Sequence, residues 1–132
     1  MLSVDKTENL INILETLQAE YIENEPMKNH TTFKIGGNAD IFVKVFDENS
    51  LSILISFCIE NDIDYFILGK GSNLLVSDDG LSKVVITLDG EFKSIEVNDE
   101  TIKCGAGVAL SKLCTVALDN SLSGLEFAYG IP

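Results

Sequence analysis

Arginine and tryptophan are absent from this 132-residue chain, and proline occurs only at Pro26 and Pro132. All nine basic residues are lysine, set against 21 acids for a net charge of −12. A surface so short of positive charge repels phosphate polymers and anionic lipid, which argues against nucleic acid and anionic membrane surfaces as partners. Long apolar runs are missing too. The stretch Leu51 to Ile59 is broken by Ser52 and Ser56 and falls far short of the ~20 residues that span a bilayer. The segment Met1-Leu2-Ser3-Val4-Asp5 lacks the basic and apolar regions of a secretory leader, so the expected location is the cytoplasm. Three cysteines, Cys58, Cys104 and Cys114, form no C-x-x-C pair. An odd number in apolar contexts predicts buried, inert thiols and neither a disulfide framework nor a structural zinc.

What the chain does have is apolar surface, 45% of its residues, enough for one compact domain with a real core. Asp5 followed by Glu8 resembles a capping box, and Leu10, Ile11, Leu14 and Leu17 recur at helical spacing, predicting a helix over 6–21. Residues 23–32 show no period and read as extended or looped. Alternation of Ile41, Val43 and Val45 with Phe42, Lys44 and Phe46 predicts a strand over 39–46. Leu51, Leu54, Ile55, Cys58 and Ile59 predict a helix capped by Asn49 or Ser50 and packed on a sheet. Tyr65-Phe66-Ile67-Leu68 reads as a buried strand in a βαβ unit. Further short strands are expected at 74–76, 84–88, 94–97 and 101–104, then a helix over 109–119. The order predicts an α+β domain with mixed sheets and flanking helices.

Three segments carry possible chemistry. Gly69-Lys70-Gly71-Ser72-Asn73, between Leu68 and Leu74, is a tight glycine-containing turn whose backbone N–H groups suit an anion, with phosphate the natural guest. The same residues also suit a ligand-free turn, and local sequence leaves both readings open. Two nucleotide motifs fail here. Gly71 stands where a phosphate-binding P-loop requires Ser or Thr after Gly-Lys, and Leu74 stands where the dinucleotide fingerprint requires a third glycine. The second segment is the polar run His30-Thr31-Thr32 through Gly36-Gly37, ahead of a strand. The third is Gly105-Ala106-Gly107, which suits a tight strand-to-helix turn. His30 reads as a turn residue, since nothing near it in sequence tunes it for acid–base work. Neither Asp78-Asp79 nor the acids within 23–25 have calcium-loop spacing, so no metal site is expected.

Taken together, from Asn29 to Gly130-Ile131-Pro132 and including Leu122-Ser123-Gly124-Leu125-Glu126-Phe127-Ala128, these segments resemble the N-terminal part of the UDP-N-acetylenolpyruvoylglucosamine reductases. These are flavoenzymes of peptidoglycan synthesis, and through it of cell-wall biogenesis, cell shape and division. The resemblance implies an FAD-binding domain of the vanillyl-alcohol-oxidase type over 29–132, preceded by a helix and lead-in over 1–28. It implies non-covalent FAD, NADPH as hydride donor and a UDP-sugar substrate. Leu68, Gly69, Lys70, Gly71, Ser72, Asn73 and Leu74 would hold the FAD pyrophosphate, with Ile131 and Pro132 near the flavin. The family's catalytic arginine, serine and glutamate lie beyond the matching region, so no catalytic residue is expected here. The resemblance further implies a chain that stops before the rest of the flavin domain and the substrate domain, and so holds FAD weakly or not at all by itself. The other readings are a stand-alone nucleotide-binding or interaction module, and another FAD-dependent oxidoreductase on the same scaffold.

Overall fold

A computed structural model of the chain describes residues 1–72 and 74–131, and of Ser82 the backbone alone. Asn73 and Pro132, both expected at the cofactor, lie outside the described residues. Helix α1 (Val4–Thr16) leads into strand β1 (Glu20–Pro26), a 3-10 turn (Met27–Asn29) and strand β2 (Asn38–Val45). Helix α2 (Glu48–Glu60), strand β3 (Tyr65–Leu68) and strand β4 (Leu81–Leu88) follow. A second 3-10 turn (Gly90–Lys93), the hairpin β5 (Ile95–Asn98) and β6 (Thr101–Cys104), helix α3 (Leu110–Asp119) and a third 3-10 turn (Glu126–Ala128) complete the described chain.

Four strands form one mixed sheet in the order β1-β2-β4-β3. β1 runs antiparallel to β2, whereas β4 lies parallel to both β2 and β3. The expected βαβ unit is therefore β2-α2-β3 with β4 inserted between its strands. β4 is a run of apolar side chains because both faces of a central parallel strand are covered: Val84, Val85 and Ile86 are all fully buried. Alternation does the sorting. Ile41, Val43, Val45, Val84 and Ile86 pack with Leu10 and Leu14 of α1 and with Leu54 and Cys58 of α2. The opposite face collects Met27, Ala39, Phe42, Leu68, Val76 and Val85, covered by loops. Burying a side chain of this size contributes about 1.5–3 kcal/mol, so the helix-covered face carries most of the stability.

Several sequence expectations change. α1 is capped by Ser3, whose Oγ accepts from the Lys6 amide at 3.3 Å, not by Asp5, which sits in the first turn. It ends at Thr16 because Gln18 takes the left-handed region (φ 53°) and turns the chain into β1. β1 carries no strand signal in the sequence because it is a sheet-edge strand with no buried residue, in which Glu20, Glu23 and Glu25 interrupt any apolar alternation. α2 is capped by Asp47, one turn before Ser50, rather than by Asn49 or Ser50. β3 is an edge strand, so only Leu68 of Tyr65-Phe66-Ile67-Leu68 is buried. Leu74 and Leu75-Val76 are not a strand: the described residues of 69–80 form one irregular connection, long enough to lead from β3 to a parallel neighbour. Cys58 and Cys114 are buried as expected, but Cys104 is exposed, at the end of the two-stranded hairpin, in which no residue is fully buried. Burial pushes the Cys58 thiol up to about 11.

Candidate functional site

The loop-covered face of the sheet is where two of the three chemistry-bearing segments meet. Residues 30–37 and 69–80, distant in sequence, are stitched by backbone hydrogen bonds. The Thr32 amide donates to the Gly71 carbonyl at 3.1 Å, and the Gly37 amide donates to the Ser77 carbonyl at 2.8 Å. Glycine is required for that seam. A Cβ on Gly71, whose φ is +74°, would collide with the His30 carbonyl oxygen, and one on Gly36 would meet Val76 Cβ at 2.7 Å. Below the seam the His30 ring stacks on Phe42 of β2, with centroids 3.9 Å apart and planes 19° off parallel. His30 Nε2 lies 2.8 Å from Glu25 Oε1. The single histidine is thus a structural element that fixes the 27–32 turn to β1 and β2, in keeping with its reading as a turn residue.

Gly69 differs from Gly71. Its φ is not in the left-handed region, and a Cβ built on it would meet nothing within 4 Å. Among the described residues no atom demands glycine there, and what the missing side chain leaves is open space. Two recesses flank this point. One, of about 360 Å³, is bounded by His30, Thr31, Thr32, Leu68, Gly69 and Lys70. The other, of about 300 Å³, is bounded by Phe66, Leu68, Gly69, Lys70, Gly71, Ser72 and Leu74. Among the described residues, the amides of Lys70, Gly71 and Ser72 donate to no backbone carbonyl, and Lys70 forms no ion pair. Successive unbonded N–H groups, a bare Cα and an uncompensated ammonium fit an anionic group such as a diphosphate. The donor set therefore agrees with the anion reading of this segment, although the strand expected to follow it at 74–76 is absent.

Six of the expected contacts, Leu68, Gly69, Lys70, Gly71, Ser72 and Leu74, share the wall of one recess. Ile131 is not part of either wall; it follows the turn Glu126–Ala128, and its amide bonds the Ala128 carbonyl at 3.2 Å. The Gly105-Ala106-Gly107 segment is the tight strand-to-helix turn, since Cβ atoms at Gly105 would strike the Phe92 backbone and the Gly107 amide bonds the Phe92 carbonyl at 2.8 Å. Thr31, at the wall of the first recess, was not singled out from sequence. Nothing in linear spacing shows that residues 30–32 lie against Gly71. Among the described residues no cluster of His, Cys, Asp and Glu is arranged to hold a metal, and no helix is long and apolar enough to cross a membrane.

Residues 39–132 match the FAD binding domain family. The chain is 44% identical over 120 residues to the UDP-N-acetylenolpyruvoylglucosamine reductase of Heliobacterium modesticaldum, an alignment covering 91% of this chain and 38% of that protein. It is 46% identical over 108 residues to UDP-N-acetylenolpyruvoylglucosamine reductase 2 of Symbiobacterium thermophilum, covering 82% and 35% respectively. The crystal structure of the UDP-N-acetylenolpyruvylglucosamine reductase of Thermus caldophilus superposes with a TM-score of 0.66 at 35% identity, over 86% of this chain and 38% of that one. The chain thus spans between 35% and 38% of the length of these relatives.

Proposed function

The chain belongs to the FAD binding domain family, and on that premise we propose that it is the flavin-holding part of an NADPH-dependent reductase acting on UDP-N-acetylenolpyruvoylglucosamine in peptidoglycan synthesis. The observation that carries the reading is the segment Gly69 to Ser72: unbonded amides, a glycine facing open space and a free ammonium, together at the edge of a family-matched sheet. Leu68 and Leu74 would flank the FAD pyrophosphate, Lys70 would offset its charge, and Asn73, Ile131 and Pro132 would complete the contacts. Bound FAD would supply hydride transfer from NADPH to the enolpyruvyl double bond. The residues of this chain bind and orient. No catalytic role is assigned to Ser72, Glu126 or His30. Positions 69–73 are Gly-Lys-Gly-Ser-Asn, with no histidine to link to the cofactor, which supports non-covalent binding. The surplus of acid supports a small-molecule partner over nucleic acid or membrane, and the reading places the protein in the cytoplasm, serving cell shape and division through wall synthesis.

The test is purification of the protein at its full encoded length, followed by flavin absorbance and NADPH consumption with and without UDP-N-acetylenolpyruvoylglucosamine. Flavin in the pure protein and substrate-dependent NADPH oxidation are expected. Protein that neither carries nor takes up FAD overturns the reading, and NADPH oxidation indifferent to the UDP-sugar reassigns it to another flavin oxidoreductase.

A further inference from the structure

Thr31 is 6% exposed, and its Oγ1 is buried without a hydrogen-bond partner. Among the described residues it is the one buried side-chain polar atom left in that state. Leaving a buried hydroxyl unsatisfied costs stability, a cost that valine, of the same shape, would avoid. Packing alone therefore does not account for threonine at this position.

The surroundings point to what would. Thr31 is held at the seam: its carbonyl accepts from the Lys34 amide at 3.2 Å, and the next residue's amide is tied to Gly71. It bounds the same recess as Gly69 and Lys70, and no carboxylate lines that recess. Glu25, whose carboxylate lies 2.8 Å from the recess-lining His30, is occupied with that ring. A buried, unpartnered hydroxyl on a residue that shares its recess with Lys70 and Gly69 is matched by a ligand rich in acceptors and lacking donors, which is the character of phosphate oxygens.

We propose that Thr31 Oγ1 donates a hydrogen bond to a phosphate oxygen of the bound dinucleotide, so that residues 30–32 form a second wall of the anion cradle opposite Gly69-Lys70. The inference rests on the flavin-holding reading and adds to it a contact from a different loop. Because the Thr32–Gly71 bond locks the two loops together, the hydroxyl and the glycine wall are positioned as one unit before any ligand arrives, and ordering them on binding costs little.

Thr31→Val and Thr31→Ser, made in the protein at its full encoded length, test this by FAD affinity from quenching of flavin fluorescence and by thermal midpoint of the FAD-free protein. Expected are an affinity loss on the order of tenfold for T31V, as for one lost charge-assisted hydrogen bond, near wild-type affinity for T31S, and a FAD-free midpoint for T31V at or above that of the wild type. Unchanged FAD affinity in T31V, equal losses in both variants, or a lower FAD-free midpoint in T31V each overturn the proposal while leaving the flavin reading intact. A wild-type protein that does not bind FAD overturns both together.

Discussion

The two faces of the four-stranded sheet are built from alternate residues of the same strands, yet they are finished differently. On one, Ile41, Val43, Val45, Val84 and Ile86 are fully buried beneath two helices. On the other, Phe42 and Val85 are buried beneath loops, which leave recesses on either side of Gly69 and Lys70. Helices satisfy their own backbone, so they can close a face with apolar side chains alone. Loops carry unspent N–H groups to the sheet edge, and there a ligand has something to bind. The two periods of a strand thus divide the work, one face for stability and the other for recognition.

The sharpest way to break that division is Leu54→Ala. Leu54 is fully buried in the helix-covered core, and truncation there should cost about 2–5 kcal/mol, read as a lower urea midpoint with unchanged slope. The FAD affinity of the protein that remains folded should match the wild type. An affinity loss under native conditions would show that the two faces are coupled.

A pair of glycine variants then probes the loop-covered face from within. Gly71→Ala forces a side chain into a left-handed backbone and against the His30 carbonyl, so about 1–3 kcal/mol of stability should be lost, with FAD binding lost as the seam opens. Gly69→Ala meets no protein atom and should change stability by less than about 0.5 kcal/mol. It should nevertheless weaken FAD binding by roughly tenfold, because the methyl occupies space the ligand needs. If both variants behave alike in denaturation and in flavin titration, Gly69 is a structural glycine and the anion cradle lies elsewhere.

Much of this contrast was legible in the sequence, but unevenly. The alternation over Ile41 to Val45 and the 3.6-residue stripe of α2 announce a helix packed on a sheet, since periodicity records which side chains face the core. The glycines at 69 and 71 announce a special backbone. β1 left no such record, because an exposed edge strand stabilised by main-chain bonds to β2 needs no apolar pattern. The strand expected at Leu74 to Val76 shows the converse: Leu74 and Val76 pack with Phe42 and Val85 from an irregular loop, while Leu75 faces solvent, and none of them pairs in a ladder. The site itself was half legible. Its glycine wall is contiguous in sequence, whereas Thr31 joins it only through the Thr32–Gly71 bond, a tertiary fact that one chain's spacing does not encode.

The smallest effect belongs to pH, and it separates the faces again. Asp47 caps α2, accepting from the Ser50 amide and the Ser50 hydroxyl, both at 2.8 Å. The amide bond first, then the hydroxyl bond, hold its carboxyl below the ordinary value of 3.8. A carboxyl lowered by folding adds stability that is fully present above its unfolded value and is lost as pH falls through the lower folded value. The cap of the helix-covered face should therefore weaken only below pH 3.8 and be unaffected between there and neutrality. Asp47→Asn keeps an acceptor for the Ser50 amide but removes the titrating group. Subtracting the thermal midpoints of D47N from those of the wild type across pH should give a difference that is flat near neutrality and shrinks in acid. A difference that instead changes near neutral pH would mean that another group, not the Asp47 cap, sets the acid sensitivity of this face.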